Sequence, residues 1–352
     1  MEQLHINGET VGPHNLQDWR QGKGGILADI AAFLDEWYAP AESMLLHTSG
    51  STGTPKAMQA CKAAMRASAT ATCRFFGLHP GHRALLCLPM RYIAGKMMVV
   101  RALVGHLELV VAAEPGSTPF AELREPVDFA PIVPMQALTT LQQADAYTQL
   151  NKAGTILLGG GFVDPALEEA LQTCKAHVYA SYGMTETLSH IALRRINGPT
   201  RTEAYSPLPG VELSLSPAGT LQISAPFLRI EHITTNDLAE ISAEGKLRIL
   251  GRADSVINSG GIKIQAEELE QELTAATGLQ VLVVPIPHPV LGQAIGLLWE
   301  GPATKAATLQ QALAALPKYH RPQKIQHGTL PRTATGKPNR LAAVQLLQYA
   351  TQ

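Results

Sequence analysis

Residues 46–56 read Leu46-His47-Thr48-Ser49-Gly50-Ser51-Thr52-Gly53-Thr54-Pro55-Lys56. Such a segment offers backbone N–H groups, several hydroxyls and one ammonium group, which are the donors that phosphate oxygens prefer. The apolar residues 43–48 before it predict a short buried strand, and the Ala-rich residues 57–72 after it predict a helix. The spacing is not that of a Walker A loop. The sequence therefore predicts a phosphate-binding loop between a strand and a helix; a flexible linker is the alternative from composition alone.

The composition indicates a folded enzyme-like protein rather than a nucleic-acid or membrane protein. The chain has 352 residues, of which 45% are hydrophobic and 16% charged, and its net charge is −1. The length predicts two domains, and the apolar fraction argues against disorder. Clusters of Lys and Arg, apolar runs of transmembrane length and a basic-then-apolar leader are all missing from the sequence, so we expect a cytoplasmic location with no nucleic-acid or membrane partner.

The cysteines also agree with the expected cytoplasmic location. The four cysteines, Cys61, Cys73, Cys87 and Cys174, have no C-x-x-C spacing and stand in apolar or helical surroundings. Reduced, packed thiols are therefore expected.

Alternating strand and helix patterns predict an α/β fold. In the first two-thirds, strands are predicted at 83–89, 107–112, 155–158 and 177–182, and helices at 96–104 and 165–174, with Asp164 as N-cap. Short β segments at 211–216, 221–224 and 246–250 predict a small β subdomain. Beyond residue 251, helices at 266–276 and 308–316 and strands at 280–285 and 294–299 predict a compact α+β unit. We therefore expect a large N-terminal α/β domain, residues 1–250, and a small C-terminal α+β domain, residues 251–352.

Four further motifs follow the loop along the chain. They are Ser181-Tyr182-Gly183-Met184-Thr185-Glu186-Thr187, Thr234-Thr235-Asn236-Asp237-Leu238-Ala239-Glu240, Gly251-Arg252-Ala253-Asp254-Ser255-Val256-Ile257-Asn258-Ser259-Gly260-Gly261-Ile262-Lys263-Ile264 and Leu330-Pro331-Arg332-Thr333-Ala334-Thr335-Gly336-Lys337-Pro338-Asn339-Arg340. A carboxylate between threonines after a strand, such as Glu186, suits a divalent cation beside phosphate, although an N-capping pair is the alternative. An acidic side chain at a strand end, such as Asp237, suits ribose hydroxyls, although a turn residue is the alternative.

The five motifs, in this order, resemble those of the adenylate-forming superfamily, which includes acyl-CoA synthetases, luciferases and peptide-synthetase adenylation domains. The resemblance implies a small mobile C-terminal domain, ATP and CoA as substrates, and Mg²⁺ as cofactor. The residues that it implies for ATP are Thr48, Ser49, Gly50, Ser51, Thr52, Gly53, Thr54 and Lys56 at the β- and γ-phosphates, Gly159, Gly160, Gly161, Ser181, Tyr182 and Gly183 at the adenine, and Asp237 and Arg252 at the ribose. The others are Thr185 at the α-phosphate, Glu186 at Mg²⁺, Asp254 as hinge, Gly260 and Gly261 at the pantetheine tunnel, and Lys337 as the lysine of adenylation.

The chain also departs from the superfamily pattern. Asn236 stands where glycine is usual, Ser255 replaces a second aspartate, and Gln265-Ala266 replaces a common x-Pro. The loop begins near residue 46, whereas most members carry roughly a hundred or more residues before it, about the size of a small domain. The usual N-terminal subdomain is therefore expected to be cut down. For Lys337, a solvated surface lysine is the alternative.

Within the superfamily, the short start, the doubled glycine and the segments 91–98 and 186–194 resemble the ligases that act on o-succinylbenzoate in menaquinone biosynthesis. That resemblance implies a dianionic aromatic acid. Tyr92 would then stack on the aryl ring, while Lys96, Ser189 or His190 would meet the second carboxylate. An exposed helix face is the alternative for Lys96, and a core histidine is the alternative for His190.

Other functions stay open on the sequence. They are a CoA ligase for another aromatic or aliphatic acid, an adenylation unit that loads a carrier protein, and a non-catalytic nucleotide-binding protein. Intact Lys56, Glu186, Asp237 and Lys337 argue against the last. The sequence leaves the oligomeric state open, a homodimer included.

Overall fold

The structure is a computed structural model that describes residues 2–47, 57–112, 118–333 and 336–349. The predicted phosphate-loop residues Thr48, Ser49, Gly50, Ser51, Thr52, Gly53, Thr54 and Lys56 lie outside the described residues. The strands are, in chain order from β1 to β20, Leu4–Ile6, Glu9–Val11, Ser43–His47, Ala57–Cys61, Arg83–Leu86, Glu108–Val111, Phe129–Ile132, Thr155–Leu158, His177–Gly183, His190–Arg195, Ser206–Pro207, Glu212–Leu215, Thr220–Ala225, Ile230–Ile241, Leu247–Arg252, Val256–Ser259, Ile262–Gln265, Gln280–His288, Gly292–Glu300 and Lys324–His327. The helices are, from α1 to α10, Leu16–Trp19, Gly25–Tyr38, Lys62–Phe76, Ile93–Gly105, Pro134–Leu141, Ala144–Leu150, Pro165–Leu171, Ala266–Thr277, Ala306–Ala315 and Arg340–Tyr349.

The largest sheet carries the predicted α/β organisation. Within the described residues its strand order is β11-β10-β9-β8-β7-β5-β6-β1-β2. The central pairs β9/β8, β8/β7, β7/β5, β5/β6 and β6/β1 are parallel, and the outer pairs are antiparallel. Apolar side chains fill the centre of this sheet, including the fully buried Ile156 and Val178, as expected for parallel strands covered on both faces. The carboxyl ends of β8 and β9 lie side by side, which prepares a ligand site at that edge.

Two smaller sheets follow along the chain. The strands β12-β13-β14-β15 form an antiparallel sheet at the place of the predicted β subdomain. The strands β17-β16-β19-β18, with β20 beside β19, form a separate sheet that α8 and α10 cover. The division predicted between residues 250 and 251 falls inside β15 and stays a prediction. None of the helices within the described ranges has the length and apolar character needed to cross a bilayer.

The prediction of a helix at 57–72 is wrong at its start. Residues 57–61 form β4, which pairs antiparallel with β3 through Leu46↔Met58 and its neighbours, and α3 begins only at Lys62. This pairing gives hydrogen-bond partners to the backbone N–H and C=O groups along one edge of β3. Their stabilisation outweighs the helix propensity of the Ala-rich run. A strand, β4, therefore follows the predicted phosphate-loop residues in the sequence, where a helix is expected.

Candidate active site

The first part of the site is built where β8 and β9 end. Ser181 Oγ donates to the Leu158 carbonyl at 2.9 Å and so ties the two strand ends together. A Cβ atom on Gly159 would lie 2.9 Å from that hydroxyl oxygen, and Gly160 has φ +75°. Glycine is required at position 159 because a side chain there would collide with Ser181 Oγ. It is required at position 160 because the backbone has a positive φ, which other residues rarely adopt. The structure thus brings the predicted adenine-lining residues 159–161 and 181–183 to one edge of the sheet.

A buried hydroxyl fixes the turn that follows β9. Thr187 is fully buried; its Oγ1 accepts from the Met184 N–H at 2.9 Å and lies 2.7 Å from the Ser189 carbonyl, to which it donates. Thr185 and Glu186 stand between these anchors, and Glu186 is exposed. The backbone of this turn therefore holds the two side chains at the strand end without help from their own contacts.

Glu186 offers one exposed carboxylate to a metal ion. Among the described residues, no group of three or more His, Cys, Asp or Glu side chains is arranged to hold a metal ion. Mg²⁺ keeps several waters and takes one or two carboxylates together with substrate phosphates. A single exposed carboxylate just beyond the end of β9, where the resemblance implies phosphate, fits that requirement.

The structure corrects the expected position of Asp237. It was expected at a strand end, but it lies inside the long strand β14, opposite Arg252 of β15. The next pairing step is irregular, between Leu238 and Ala239, so a bulge re-aims the strand here. Asp237 Oδ1 lies 3.6 Å from Arg252 Nη1, and Oδ2 accepts from the Tyr182 hydroxyl at 2.5 Å. The Asp237 carboxylate is therefore held near the end of β9 by a hydrogen bond between two sheets.

Arg252 also forms two hydrogen bonds with Asp254, the predicted hinge residue. Its Nε and Nη2 donate to the two carboxylate oxygens of Asp254, each at 2.8 Å. This paired hydrogen bond holds the pKa of Asp254 below the ordinary aspartate value of 3.8. One guanidinium thus links the ribose-motif residue Asp237 with the hinge-motif residue Asp254.

Lys337 lies on a short structured loop before α10. The Thr333 N–H donates to the Lys337 carbonyl at 2.8 Å. Arg340, three residues further, donates to both carboxylate oxygens of Glu270 at 2.6 and 2.9 Å, and this pair fastens the start of α10 to α8. The lysine is therefore presented by a loop that is anchored on both sides.

Lys337 lies close enough to Arg252 and Asp237 for their charges to act on its pKa. The residue is exposed, yet nearby protein atoms desolvate its ammonium group. That desolvation, followed by the positive charge of Arg252, lowers its pKa from 10.5, while Asp237 acts in the opposite direction. Lys337 therefore responds to the charges of Asp237 and Arg252, which pair with each other on neighbouring strands of one sheet.

The predicted acid-binding residues are only partly brought together. Ser189 Oγ lies 3.3 Å from His190 Nδ1, and His190 Nε2 lies 3.3 Å from Thr72 Oγ1. His190 is buried, and burial together with the nearby Arg101 charge lowers its pKa to about 3. Because the imidazole stays neutral at working pH, it is a hydrogen-bonding core residue rather than a cation.

The buried cation at this place is Arg101, which sequence reasoning missed. Its side chain is almost fully buried, and its Nη2 donates to Ser189 Oγ. Within the described part of the chain its Nε makes no hydrogen bond. Burial lowers the pKa of Arg101 to about 10, so the guanidinium remains charged near neutral pH. The available signal was an arginine inside the apolar run Met97–Leu103, where a charged side chain is rare unless it has a partner.

Tyr92 and Lys96 occupy the start of the same helix. Tyr92 is the N-cap of α4, and the Arg91 guanidinium lies 4.9 Å from its ring centroid. Lys96 is half-buried, and it precedes Arg101 by five positions, about 140° around the helix axis. The two cations therefore leave α4 in different directions.

The predicted CoA residues form a tight hairpin turn. Gly260 and Gly261 connect β16 and β17 with φ values of +60° and +88°, the conformation of a type I′ turn. A cavity of about 280 Å³ lies beside the turn and is lined by Ser259, Leu291, Ile295, Lys318, Tyr319, Arg321 and Gln323. Two cations and an exposed phenol thus border a pocket on the C-terminal sheet.

Comparisons with known proteins show what this chain is similar to. A family model described as AMP-binding enzyme matches residues 32–223. A 2-succinylbenzoate–CoA ligase from Lactococcus lactis is 26% identical over 327 residues, which cover 87% of this chain and 71% of that protein. The crystal structure of an acyl-CoA synthetase (AMP-forming)/AMP-acid ligase II-like protein from Dyadobacter fermentans has 35% identity and a TM-score of 0.65, and the match covers 96% of this chain and 99% of that one.

A further solved structure supports the fold alone. The o-succinylbenzoate CoA synthetase from Bacillus subtilis, in complex with ATP and magnesium ion, has 23% identity and a TM-score of 0.72. The match covers 86% of this chain and 69% of that one. The predicted α/β fold class is therefore confirmed.

Proposed function

This chain belongs to the AMP-binding enzyme family, and from that premise we propose that it is an ATP-dependent acid–CoA ligase that acts through an acyl-adenylate. A substrate carboxylate oxygen attacks the α-phosphorus of ATP and pyrophosphate leaves. The CoA thiol then attacks the acyl carbon and AMP leaves. The observation that carries the proposal is the cluster around Arg252, whose Nη1 lies 3.6 Å from Asp237 Oδ1 and whose Nη2 lies 2.8 Å from Asp254 Oδ2. The lowered pKa of Lys337, on which Arg252 acts, agrees with this cluster.

Each charged group has a distinct task in this proposal. Asp237 and Arg252 bind the ribose, and Lys337 stabilises the charge that develops on the α-phosphate oxygens. Thr185 binds the same phosphate. Magnesium, when held by Glu186 and the ATP phosphates, supplies neutralising charge.

We propose o-succinylbenzoate as the acid. The Lactococcus lactis relative is a 2-succinylbenzoate–CoA ligase, and a dianion needs a second cation beyond those that bind ATP. Arg101 supplies one, because a buried guanidinium whose Nε makes no hydrogen bond within the described residues favours an anionic ligand. Ser189 orients the guanidinium, and Tyr92 offers a ring to the aryl group. This assignment gives Arg101 the role that the sequence suggested for Lys96 or His190.

The cavity beside Gly260 and Gly261 supports CoA as the second substrate. Lys318 and Arg321 border it, and their charges suit the phosphates of the CoA nucleotide. Small-molecule substrates, a cytoplasmic location and no nucleic-acid or membrane partner complete the proposal, and a homodimer remains open.

A ligase for a different acid is the second candidate. The Dyadobacter fermentans protein is more similar in sequence, at 35% identity, and matches this chain almost from end to end. Its name gives an AMP-acid ligase without specifying the acid. This favours testing a panel of aromatic and aliphatic acids, and carrier-protein loading in place of CoA.

The test is acid-dependent ATP–pyrophosphate exchange over that panel, followed by thioester formation with and without CoA. We expect o-succinylbenzoate to be preferred over a benzoate that lacks the second carboxylate by about 1–3 kcal/mol. Arg101→Gln should remove this preference, whereas Arg74→Gln, an exposed arginine on α3, should keep it. If none of the acids supports exchange, the ligase proposal is refuted, and equal efficiency with mono-acids would refute the choice of acid.

A further inference from the structure

The hydroxyl of Tyr182 joins two sheets at the nucleotide site. Tyr182 lies on β9 of the largest sheet and Asp237 on β14 of the antiparallel sheet, and they are connected by a 2.5 Å hydrogen bond. We propose that Tyr182 is a positioning residue that orients the Asp237 carboxylate for the ribose hydroxyls of the nucleotide, an inference that rests on the proposed ATP site.

The direction of this hydrogen bond is fixed. Burial, followed by the negative charge of Asp237, raises the pKa of the Tyr182 phenol well above its ordinary value of 10.0. The phenol therefore keeps its proton at working pH and donates it to Asp237, whose Oδ2 accepts. A second bond acts on the backbone, since the Asp237 N–H donates to Thr235 Oγ1 at 3.0 Å.

The carboxylate needs this support because Arg252 competes for it. Arg252 Nη1 lies 3.6 Å from Asp237 Oδ1, beyond hydrogen-bond length, and the same guanidinium is engaged by Asp254. Without the Tyr182 hydroxyl, Coulomb attraction would draw both Asp237 oxygens toward the guanidinium. With it, Oδ2 stays with the phenol, and Oδ1 remains available to accept from a ribose hydroxyl.

The experiment compares nucleotides that differ only in the ribose. AMP, 2′-deoxy-AMP and 3′-deoxy-AMP are titrated by calorimetry into the wild-type protein and Tyr182→Phe, which keeps the ring. We expect the wild type to lose about tenfold in affinity with at least one deoxynucleotide. Tyr182→Phe should bind AMP about tenfold more weakly and show a ratio between AMP and that deoxynucleotide close to one.

Controls separate positioning from packing. Tyr179→Phe, on the same strand, removes a hydroxyl that contacts Arg195 instead and should keep the wild-type ratio. In an Asp237→Ala background, Tyr182→Phe should cause no further loss. An equal loss for all three nucleotides in Tyr182→Phe, or an additive loss in the double variant, would overturn the positioning role. If the wild type binds no adenine nucleotide, the proposed ATP site itself is refuted.

Discussion

At the residue scale, burial decides which side chains of the candidate site carry charge. Arg101 and His190 lie together, and burial lowers the pKa of both, to about 10 and about 3. Near neutral pH the arginine is therefore charged and the histidine is not. Within the described residues, this cluster thus holds one charged guanidinium and one neutral imidazole, which suits the proposed binding of one extra carboxylate on the substrate.

Glu186→Gln tests the magnesium position. The change removes one charge with almost no change in volume, so we expect magnesium-dependent adenylation to be lost while the melting temperature stays near that of the wild type. Pyrophosphate exchange over a range of Mg²⁺ concentrations measures it. Glu203→Gln, an exposed glutamate, is the matched control. Near-normal exchange in Glu186→Gln would show that the metal is held elsewhere.

The pH dependence of adenylation tests the charge environment of Lys337. Its pKa is lowered from 10.5, so activity should fall with rising pH at a lower pH than an ordinary lysine predicts, as the ammonium loses its proton. Arg252→Gln removes a charge that lowers this pKa and should move the alkaline limb up. Asp237→Asn removes a charge that raises it and should move the limb down. If both variants moved the alkaline limb in the same direction, this would contradict the charges placed around Lys337, whatever the residual rates.

At the element scale, the local sequence pattern is enough to predict a strand or a helix where burial and capping indicate the same bounds. The strand predicted at 155–158 is β8 with the same bounds. Asp164 was predicted to cap the helix that starts at Pro165, and its Oδ1 accepts from the Ala166 N–H at 2.7 Å. Both features depend on residues close in sequence, which is why the sequence predicts them.

The sequence does not predict features that depend on contacts between residues far apart along the chain. The Ala-rich residues 57–61 form a strand because β3 offers a partner edge, which no local pattern reveals. Asp237 lies inside a strand because Arg252 and its neighbours pair with it. Arg101 was overlooked because its contact, Ser189, is far along the chain. The resemblance supplied the candidate residues, but only the fold showed which of them meet.

The turn between β16 and β17 allows a conformational requirement to be separated from a steric one. Gly261 has φ +88°, and a Cβ atom added to it would meet no other atom within 4 Å, so Gly261→Ala should cost about 1 kcal/mol of unfolding free energy and Gly261→Asn less. If the turn faces the pantetheine, the larger Asn should slow thioester formation more than Ala does. Denaturant unfolding and the thioester half-reaction measure the two effects.

A second glycine provides the control for that experiment. Gly245, between β14 and β15, has φ +74° and equally open surroundings. Gly245→Ala should therefore cost similar stability and leave thioester formation unchanged. If the thioester rates of the Gly261 variants follow stability rather than side-chain size, the tunnel role must be abandoned.

At the scale of the whole molecule, contacts around Arg252 connect the nucleotide site to the proposed hinge. Its side chain reaches Asp237 and Asp254. Its carbonyl accepts from Gln265 Nε2, at the N-cap of α8, at 3.1 Å. Any rotation of the C-terminal sheet about Asp254 must rearrange these contacts. We propose that this arrangement, in which the charges of Arg252 and Asp237 act on Lys337, is the one that suits adenylation.

Two variants, Lys337→Ala and Asp254→Pro, should each impair a different half-reaction. Lys337→Ala should reduce adenylate formation on the order of 10² to 10³-fold, through lost transition-state stabilisation, yet convert synthetic acyl-adenylate and CoA to thioester at a near-normal rate. Asp254→Pro restricts backbone rotation and should impair thioester formation more than adenylation. Asp254→Ala is its control, because it also breaks the contact with Arg252 but leaves the backbone free. Equal loss of both half-reactions in Lys337→Ala would assign the lysine to folding or general binding and exclude domain alternation.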